Sequence, residues 1–225
     1  TLSGTATVSN DFTKTSLTLL IPAGSFSDTL TLTAVQDFLD EFDETIIVDI
    51  DTVINGAENG TEQVTTTITD DDPPAEVSLG LAGSPFDENG GTATVTASLN
   101  VVSGKAITVN LAYAGSAGGS DYTTTHATSI LIPAGTLSAD ITLTGVNDCD
   151  DDDGETVSVD ITTVGNGVEA GPGEQQVTAT ITDDEENPTD ITLTPSATDE
   201  NNAVNDVVGA LTTADGNVLD THTYT

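Results

Sequence analysis

The sequence predicts an all-β protein built from tandem immunoglobulin-like antiparallel β-sandwiches. Apolar Val, Ile and Leu alternate with Thr, Ser and other polar residues over short stretches, which is the period of half-buried strands. Turn residues separate these stretches, and none of them carries a helical period. Several landmarks also recur in the same order about one domain length apart.

The repeat is most visible in the motif Ile-Pro-Ala-Gly, which occupies residues 21–24 and again 132–135, an offset of 132 − 21 = 111. Further landmarks follow in the same order, pairing residues 35–37 with 146–148, 44–45 with 155–156, 55–56 with 166–167, and 67–70 with 180–183. The last pair is offset by 113, because two extra residues fall in the loop around Pro172. The chain therefore contains a tandem module of about 110 residues.

Three units follow from this repeat. Residues 73–186 form the complete copy, called here the second repeat. Residues 1–72, the first repeat, carry no counterpart of residues 76–110 and are expected to form an incomplete sandwich with exposed edges and core. Residues 187–225, the third segment, begin a different module that stops after about one third of a domain.

Seven strands are predicted in the second repeat from alternation and turn signals, over residues 76–81, 91–99, 106–113, 128–132, 139–146, 156–161 and 175–182. Val157, Val159 and Ile161 should face the core. Val177, Ala179 and Ile181 should do the same in the last strand. In the third segment, strands are expected near 190–195, 207–213 and 221–225.

Charge narrows the possible partners. The chain has 38 acidic residues, two lysines and no arginine, for a net charge of −36. This excludes nucleic acid and argues against anionic membrane surfaces, since both are bound through Lys and Arg. The single cysteine, Cys149, rules out an intrachain disulfide. No apolar run is long enough for a membrane span, so cations or basic surfaces are the expected partners.

The most acidic stretch is the loop from Val146 to Thr156, with six carboxylates in eleven residues and no lysine nearby. It is either a solvated acidic loop or a cation site. Ca²⁺ is the first candidate for such a site, because it takes six to eight hard oxygen ligands in irregular geometry.

The chain resembles tandem Calx-β domains over residues 1–186. The landmarks that carry the resemblance in the second repeat are residues 88–92 (Glu-Asn-Gly-Gly-Thr), 119–122 (Gly-Ser-Asp-Tyr), 132–135, 146–156 and 182–185 (Thr-Asp-Asp-Glu). The order of these landmarks, more than any one of them, makes the match specific. The resemblance implies a β-sandwich with several Ca²⁺ ions at one tip.

Carried over position by position, the resemblance implies calcium ligands in both repeats. In the second repeat they are Glu88, Asp121, Asp148, Asp152, Asp183, Asp184 and Glu185, with Glu155 as either ligand or structural acid. In the first repeat they are Asp11, Asp37, Glu41, Asp70, Asp71 and Asp72. Asn147 and Gln36 stand where the family often has an aspartate, and Asp152 is shorter than the family's Glu, so fewer or weaker ions are expected.

The third segment resembles the opening of a bacterial cadherin-like module. The resemblance rests on residues 199–201, 207–211, 215–217 and 221–224. It implies that Glu200 and Asp215 bind calcium and that residues 183–187 form a linker sharing ions between modules. Asn217 departs from the usual aspartate.

Taken together, these features predict a non-enzymatic, calcium-binding structural or adhesive segment of a large secreted or cell-surface protein, with bacterial proteins as the expected source. No nucleophile motif accompanies the two isolated histidines, and there is no tryptophan to line a glycosidase cleft. Ca²⁺, neighbouring modules and copies of the same chain are the expected partners. Two alternatives remain open, an adhesin module that binds a glycan or protein, and a halophilic surface-layer or fibre subunit whose acids serve hydration.

Overall fold

The computed structural model describes residues 1–60, 62–147, 154–183, 190–194 and 209–214. All regular elements among these residues are strands, so the predicted all-β sandwich class is confirmed. The described part of the chain holds no helix long and apolar enough to cross a membrane.

The second repeat is a sandwich of two five-stranded sheets. Its strands are β6 (Glu76–Ala82), β7 (Phe86–Asp87), β8 (Thr92–Leu99), β9 (Ile107–Gly115), β10 (Tyr122–Thr124), β11 (Ser129–Ile132), β12 (Ser138–Gly145), β13 (Thr156–Gly165), β14 (Val168–Glu169) and β15 (Gln176–Thr182). One sheet has the order β10-β12-β8-β6-β14 and the other β11-β9-β13-β15-β7.

All seven strands predicted in the second repeat are present, with ends shifted by a few residues. The sequence did not predict the short strands β7, β10 and β14. Two of these, β7 and β14, pair in parallel with β15 and β6, so the sandwich is not purely antiparallel. Strands of two or three residues are too short to carry an alternation signal, so the sequence does not reveal them.

The core of the second repeat lies between the two sheets and consists of small and branched apolar side chains. Val157, Val159 and Ile161 are buried as predicted, and so are Ala179 and Ile181, whereas Val177 is only partly buried. The alternation read from the sequence therefore identifies the buried face of the strands.

The first repeat contains β1 (Leu2–Gly4), β2 (Phe12–Lys14), β3 (Leu32–Ala34), β4 (Glu44–Asp49) and β5 (Gln63–Ile68). They form a three-stranded sheet, β1-β4-β5, and a pair, β2-β3. Leu2 lies opposite Val48, as Tyr113 lies opposite Val159 in the second repeat, at the predicted offset of 111.

Few apolar side chains of the first repeat are fully buried, Phe12 and Ile46 among them. Many others are exposed, including Leu20, Ile21, Phe26 and Ile54. The first repeat therefore leaves many of its apolar side chains exposed.

In the third segment, β16 (Asp190–Thr194) and β17 (Ala210–Ala214) form an antiparallel pair. They correspond to two of the three predicted strands, the second beginning later than predicted. The third, residues 221–225, lies outside the described residues.

Candidate metal centre

The predicted acidic residues of the first repeat meet at one end of its strands, called here the first tip. Asp11 immediately precedes β2 and Asp37 follows β3, and in this antiparallel pair Phe12 lies opposite Ala34. Glu44 begins β4 and Asp70 follows β5, with Glu44 opposite Ile68. Because paired antiparallel strands start and end at a common edge, these carboxylates come to the same place.

A cavity of about 80 Å³ opens between them. Its wall includes seven acidic residues, namely Asp11, Asp37, Glu41, Glu44, Asp70, Asp71 and Asp72. All six predicted ligands of the first repeat are thus brought together, and Glu44 joins them. The sequence analysis identifies Glu44 only as a landmark of the repeat, although its counterpart Glu155 is a predicted site residue.

The second repeat gathers its described acids by the same geometry, at the second tip. Asp121 precedes β10, Glu155 precedes β13 and Asp183 follows β15. The Ile181 amide donates to the Glu155 carbonyl at 2.8 Å, and the Glu88 amide donates to the Thr182 carbonyl at 3.0 Å. Glu88, Asp121, Glu155 and Asp183 therefore lie at strand ends of the second repeat.

The remaining predicted ligands lie outside the described residues. These are Asp148, Asp152, Asp184, Glu185, Glu200 and Asp215.

Each tip holds an Asp–Glu pair of carboxyl groups in which the glutamate influences the pKa of the aspartate, Asp11 with Glu44 in the first repeat and Asp121 with Glu155 in the second. Two neighbouring ionised carboxylates repel each other strongly. Such a pair is stable only when it shares a proton or has a cation beside it. The pair is the element of the site that both repeats reproduce.

Local hydrogen bonds orient one member of each pair. Asp11 accepts from the Thr7 amide at 2.5 Å and from the Thr7 hydroxyl at 2.7 Å. Asp121 accepts from the Ser120 hydroxyl at 2.6 Å and from the Gly118 amide. Each aspartate is therefore held as a pre-oriented oxygen donor at the start of its strand.

These contacts move the pKa values of the first tip in opposite directions. Burial raises the pKa of Asp11, but the hydrogen bonds from Thr7 outweigh it, so the value lies below the ordinary one. Burial, with the neighbouring charge of Asp11, raises the pKa of both Glu44 and Glu41. Partial burial and the adjacent Asp70 and Asp71 raise the pKa of Asp72.

In the second tip the pKa of Asp121 lies below its ordinary value, because the Ser120 hydroxyl and the Gly118 amide stabilise the ionised form. Glu88 is 4% exposed. A carboxylate at that depth must be neutralised or hydrogen-bonded, and Asn147 Nδ2 donates to Glu88 Oε1 at 3.3 Å.

The two amides that stand in place of family aspartates have a role the sequence did not show. Gln36 Nε2 donates to Asp71 Oδ1 at 3.1 Å, and Asn147 Nδ2 donates to Glu88 in the second tip. From the sequence, Gln36 and Asn147 are each predicted to remove one negative charge from a calcium site. The structure shows that each amide also orients a carboxylate of its tip.

The donor set fits a hard cation, since it consists of carboxylate and amide oxygens held near strand ends. Within the described ranges, however, no three His, Cys, Asp or Glu side chains lie close enough together to hold a metal ion as they stand. The residues that could hold Ca²⁺ after a local rearrangement are Asp11, Glu44 and the acids of 70–72 in the first tip, and Glu88, Asp121 and Glu155 in the second.

Sequence reasoning also missed Asp40 and Lys105. Asp40 is 4% exposed, and its Oδ1 lies 2.6 Å from Lys105 Nζ, 65 positions along the chain. No local pattern connects two residues so far apart.

Comparison with known proteins adds no assignment, since neither the family models nor the curated proteins that were searched match this chain.

Proposed function

We propose that this chain is a calcium-binding, non-enzymatic segment of a large secreted or cell-surface protein. Its two repeats would be Calx-β-like domains and its third segment the start of a cadherin-like module. Ca²⁺ at the tips and linkers makes the row of modules rigid. The observation that carries the proposal is the gathering of seven carboxylates around one cavity at the first tip, with Glu88, Asp121 and Glu155 at strand ends of the second tip.

The choice of Ca²⁺ follows from chemistry. The tip donors are hard oxygens, and the number of carboxylates around the first cavity exceeds what a small octahedral ion needs. With two lysines in the chain, most of these acids have no protein cation to neutralise them. A divalent ion at each tip would offset the repulsion between the two carboxyl groups of the pair there.

Calcium binding of this kind would contribute a large part of the stability. Sites in extracellular modules have dissociation constants of about 10⁻⁴ to 10⁻³ M. At a hundredfold excess of ion, each site adds about 2.7 kcal/mol to the free energy of unfolding. Two such sites match the whole stability of a small domain, about 5 kcal/mol.

The test is a calorimetric titration of Ca²⁺ into chelator-treated protein, with the melting temperature followed in parallel. We expect heat of binding and a rise in melting temperature with Ca²⁺. Asp121→Asn should lose part of both effects, whereas Asp140→Asn, which changes an exposed acid on β12, should lose neither. Absence of heat and of any thermal shift in the unmodified chain would overturn the proposal.

The hydration alternative is separated in the same experiment. If the acids serve only to keep the protein hydrated in salt, molar KCl should stabilise the chelated protein as much as millimolar CaCl₂ does. The gathering of seven carboxylates around one cavity favours calcium instead, since hydrating acids have no reason to converge.

A further inference from the structure

The loop between β8 and β9 in the second repeat lies against the acidic tip of the first repeat. Three consecutive residues of this loop all contact Asp40, which lies in sequence between the first-tip residues Asp37 and Glu41; they are Ser103, Gly104 and Lys105. Ser103 and Asp40 are 1% and 4% exposed, so the contact is buried on both sides.

The charged part of this contact is the Lys105 ammonium group. Its Nζ lies 2.6 Å from Asp40 Oδ1 and 3.8 Å from Asp70 Oδ2. It also lies 5.2 Å from the centre of the Phe42 ring, a cation–π distance. The Lys105 side chain is 16% exposed, so solvent screens this ion pair much less than it screens one on the surface.

Hydrogen bonds hold the loop in register with Asp40. The Gly104 amide donates to the Asp40 carbonyl at 3.0 Å, and the Ser103 hydroxyl lies 3.3 Å from both the Asp40 carbonyl and Asp40 Oδ2. The Lys105 amide donates to the Ser103 hydroxyl at 3.0 Å. The Ser103 carbonyl in turn accepts the Gly135 amide at 2.9 Å, which ties the loop to its own repeat.

The approach is close enough that a side chain at position 104 would have to displace the Glu41 side chain. A Cβ built there would lie 2.6 Å from Glu41 Cγ and 2.8 Å from Glu41 Oε1. Glycine at this position therefore lets the loop backbone reach the first tip.

We propose that Lys105 is a built-in cation that latches the first repeat onto the second without any metal ion. Two strongly acidic repeats repel each other at short range, and a divalent ion is one way to offset that repulsion. Here the chain places one of its two lysines at the junction, where it neutralises the buried Asp40. The latch predicts that the two repeats stay aligned in chelator.

The Lys105 latch should also lower the Ca²⁺ affinity of the first tip. This inference rests on the proposed function. Asp70 faces both Lys105 and the cavity, so the ammonium group lowers the negative potential available to Ca²⁺. Removing its charge should tighten calcium binding at the first tip by a factor of roughly three to ten.

The test uses the full chain labelled with ¹⁵N, in chelator and in saturating Ca²⁺, with backbone relaxation giving a rotational correlation time for each repeat. In chelator the unmodified chain should show one common correlation time. Lys105→Gln should show two shorter ones, and Lys105→Arg should restore a common value. Lys14→Gln is the matched control, since Lys14 forms no ion pair within the described residues.

A common correlation time for Lys105→Gln in chelator would overturn the latch. If that variant fails to fold, Asp40→Asn decides, because it removes the charge that Lys105 pairs with and keeps the size of the side chain. It should loosen the junction, and an unchanged common correlation time would again overturn the proposal. Failure of calcium to change any of these variants would contradict the proposed function alone and leave the latch standing.

Discussion

The motif Ile-Pro-Ala-Gly has the same sequence in both repeats but a different environment in each. Ile132 is fully buried at the end of β11, whereas Ile21 is 55% exposed and belongs to no strand. In the second repeat β11 pairs with β9, and Ile132 lies opposite Ile107. Within the described residues no strand takes the place of β9 beside Ile21, so the same motif there has neither a ladder nor a core to join.

A second motif behaves in the opposite way. Gly4 and Gly115 both adopt positive φ, 113° and 128°. Each lies close to a backbone carbonyl of the strand paired with its own, that of Thr45 for Gly4 and that of Thr156 for Gly115. The Thr45 amide donates to the Thr5 hydroxyl at 2.8 Å, and the Thr156 amide donates to the Ser116 hydroxyl at 2.9 Å. This corner needs only two neighbouring strands, and both repeats contain them.

Each structural feature of the module is therefore found wherever the residues that it contacts are present. Local corners and tip carboxyl pairs are reproduced in both repeats, while burial of the outer strands is reproduced only where the opposing strands exist.

Adding a Cβ at the positive-φ glycine, Gly4 or Gly115, should be destabilising in both repeats. A Cβ at Gly115 would lie 2.0 Å from the Thr156 carbonyl oxygen, and one at Gly4 would lie 2.1 Å from that of Thr45. Because the positive φ is also strained for alanine, Gly115→Ala should cost about 3 to 4 kcal/mol of unfolding free energy. Gly4→Ala should loosen β1 from β4. Urea unfolding and amide exchange measure both effects, and Gly119→Ala, which meets no atom within 4 Å, is the control.

The repeated isoleucine should be sensitive in one repeat only. Ile132→Ala should lower the unfolding free energy by about 3 kcal/mol, because it leaves a cavity in a packed core. Ile21→Ala, at the exposed copy, should stay within about 0.5 kcal/mol. Equal losses in urea unfolding would mean that Ile21 is buried in solution and that the contrast between the repeats is wrong.

Calcium affinity should differ between the tips because Glu88 belongs to the second alone. Glu88→Gln should weaken the second tip by roughly tenfold, since affinity follows the number of ligand charges. Titration calorimetry, with NMR shifts to separate the two tips, measures this change. The first tip in the same molecule serves as the internal control.

Gly145 gives a second way to remove Glu88 from the tip. A Cβ at Gly145 would lie 2.6 Å from Glu88 Cα and 2.5 Å from the Asp87 carbonyl oxygen, so the backbone must shift. The corresponding residue in the first repeat is Ala34. Gly145→Ala should therefore weaken the second tip as Glu88→Gln does, whereas Ala34→Gly should leave the first tip unchanged. An unaltered second tip in both variants would show that Glu88 is not a ligand.

The smallest expected effect is the pH dependence of the metal-free protein. Glu41, Glu44 and Asp72 have raised pKa values, so their contribution to stability is complete below their ordinary pKa values and is lost as pH rises through the folded ones. Asp11 and Asp121 have lowered pKa values, and their contribution is lost only as pH falls below the ordinary value. From about pH 7 to about pH 5, the first repeat should therefore gain slight protection.

Amide exchange in chelator, followed separately in the two repeats, measures this gain. The second repeat should show no gain from Asp121 over the same range. Added Ca²⁺ should abolish the gain in the first repeat, because the ion replaces the proton as the neutralising charge. A loss of protection in the first repeat on acidification would contradict the pKa order at its tip.

Much of this protein follows from its sequence alone. Alternation identified the strands and the buried face of residues 157–161, and the repeat offset holds in the strand register that sets Leu2 opposite Val48. The same offset aligned the acids of the two tips, because strand order brings the ends of paired strands together whatever the side chains are. These features depend on local pattern and on chain connectivity, and a single sequence records both.

Tertiary structure decided the rest. The exposure of Ile21, the amide bonds from Gln36 and Asn147 to tip carboxylates, and the burial of Asp40 against Lys105 all depend on which distant groups come into contact. The identical motifs at residues 21–24 and 132–135 differ in burial because burial depends on which other parts of the chain pack around a residue. An ion pair between residues 65 positions apart likewise leaves no local pattern, since its free energy comes from a contact that exists only in the folded chain.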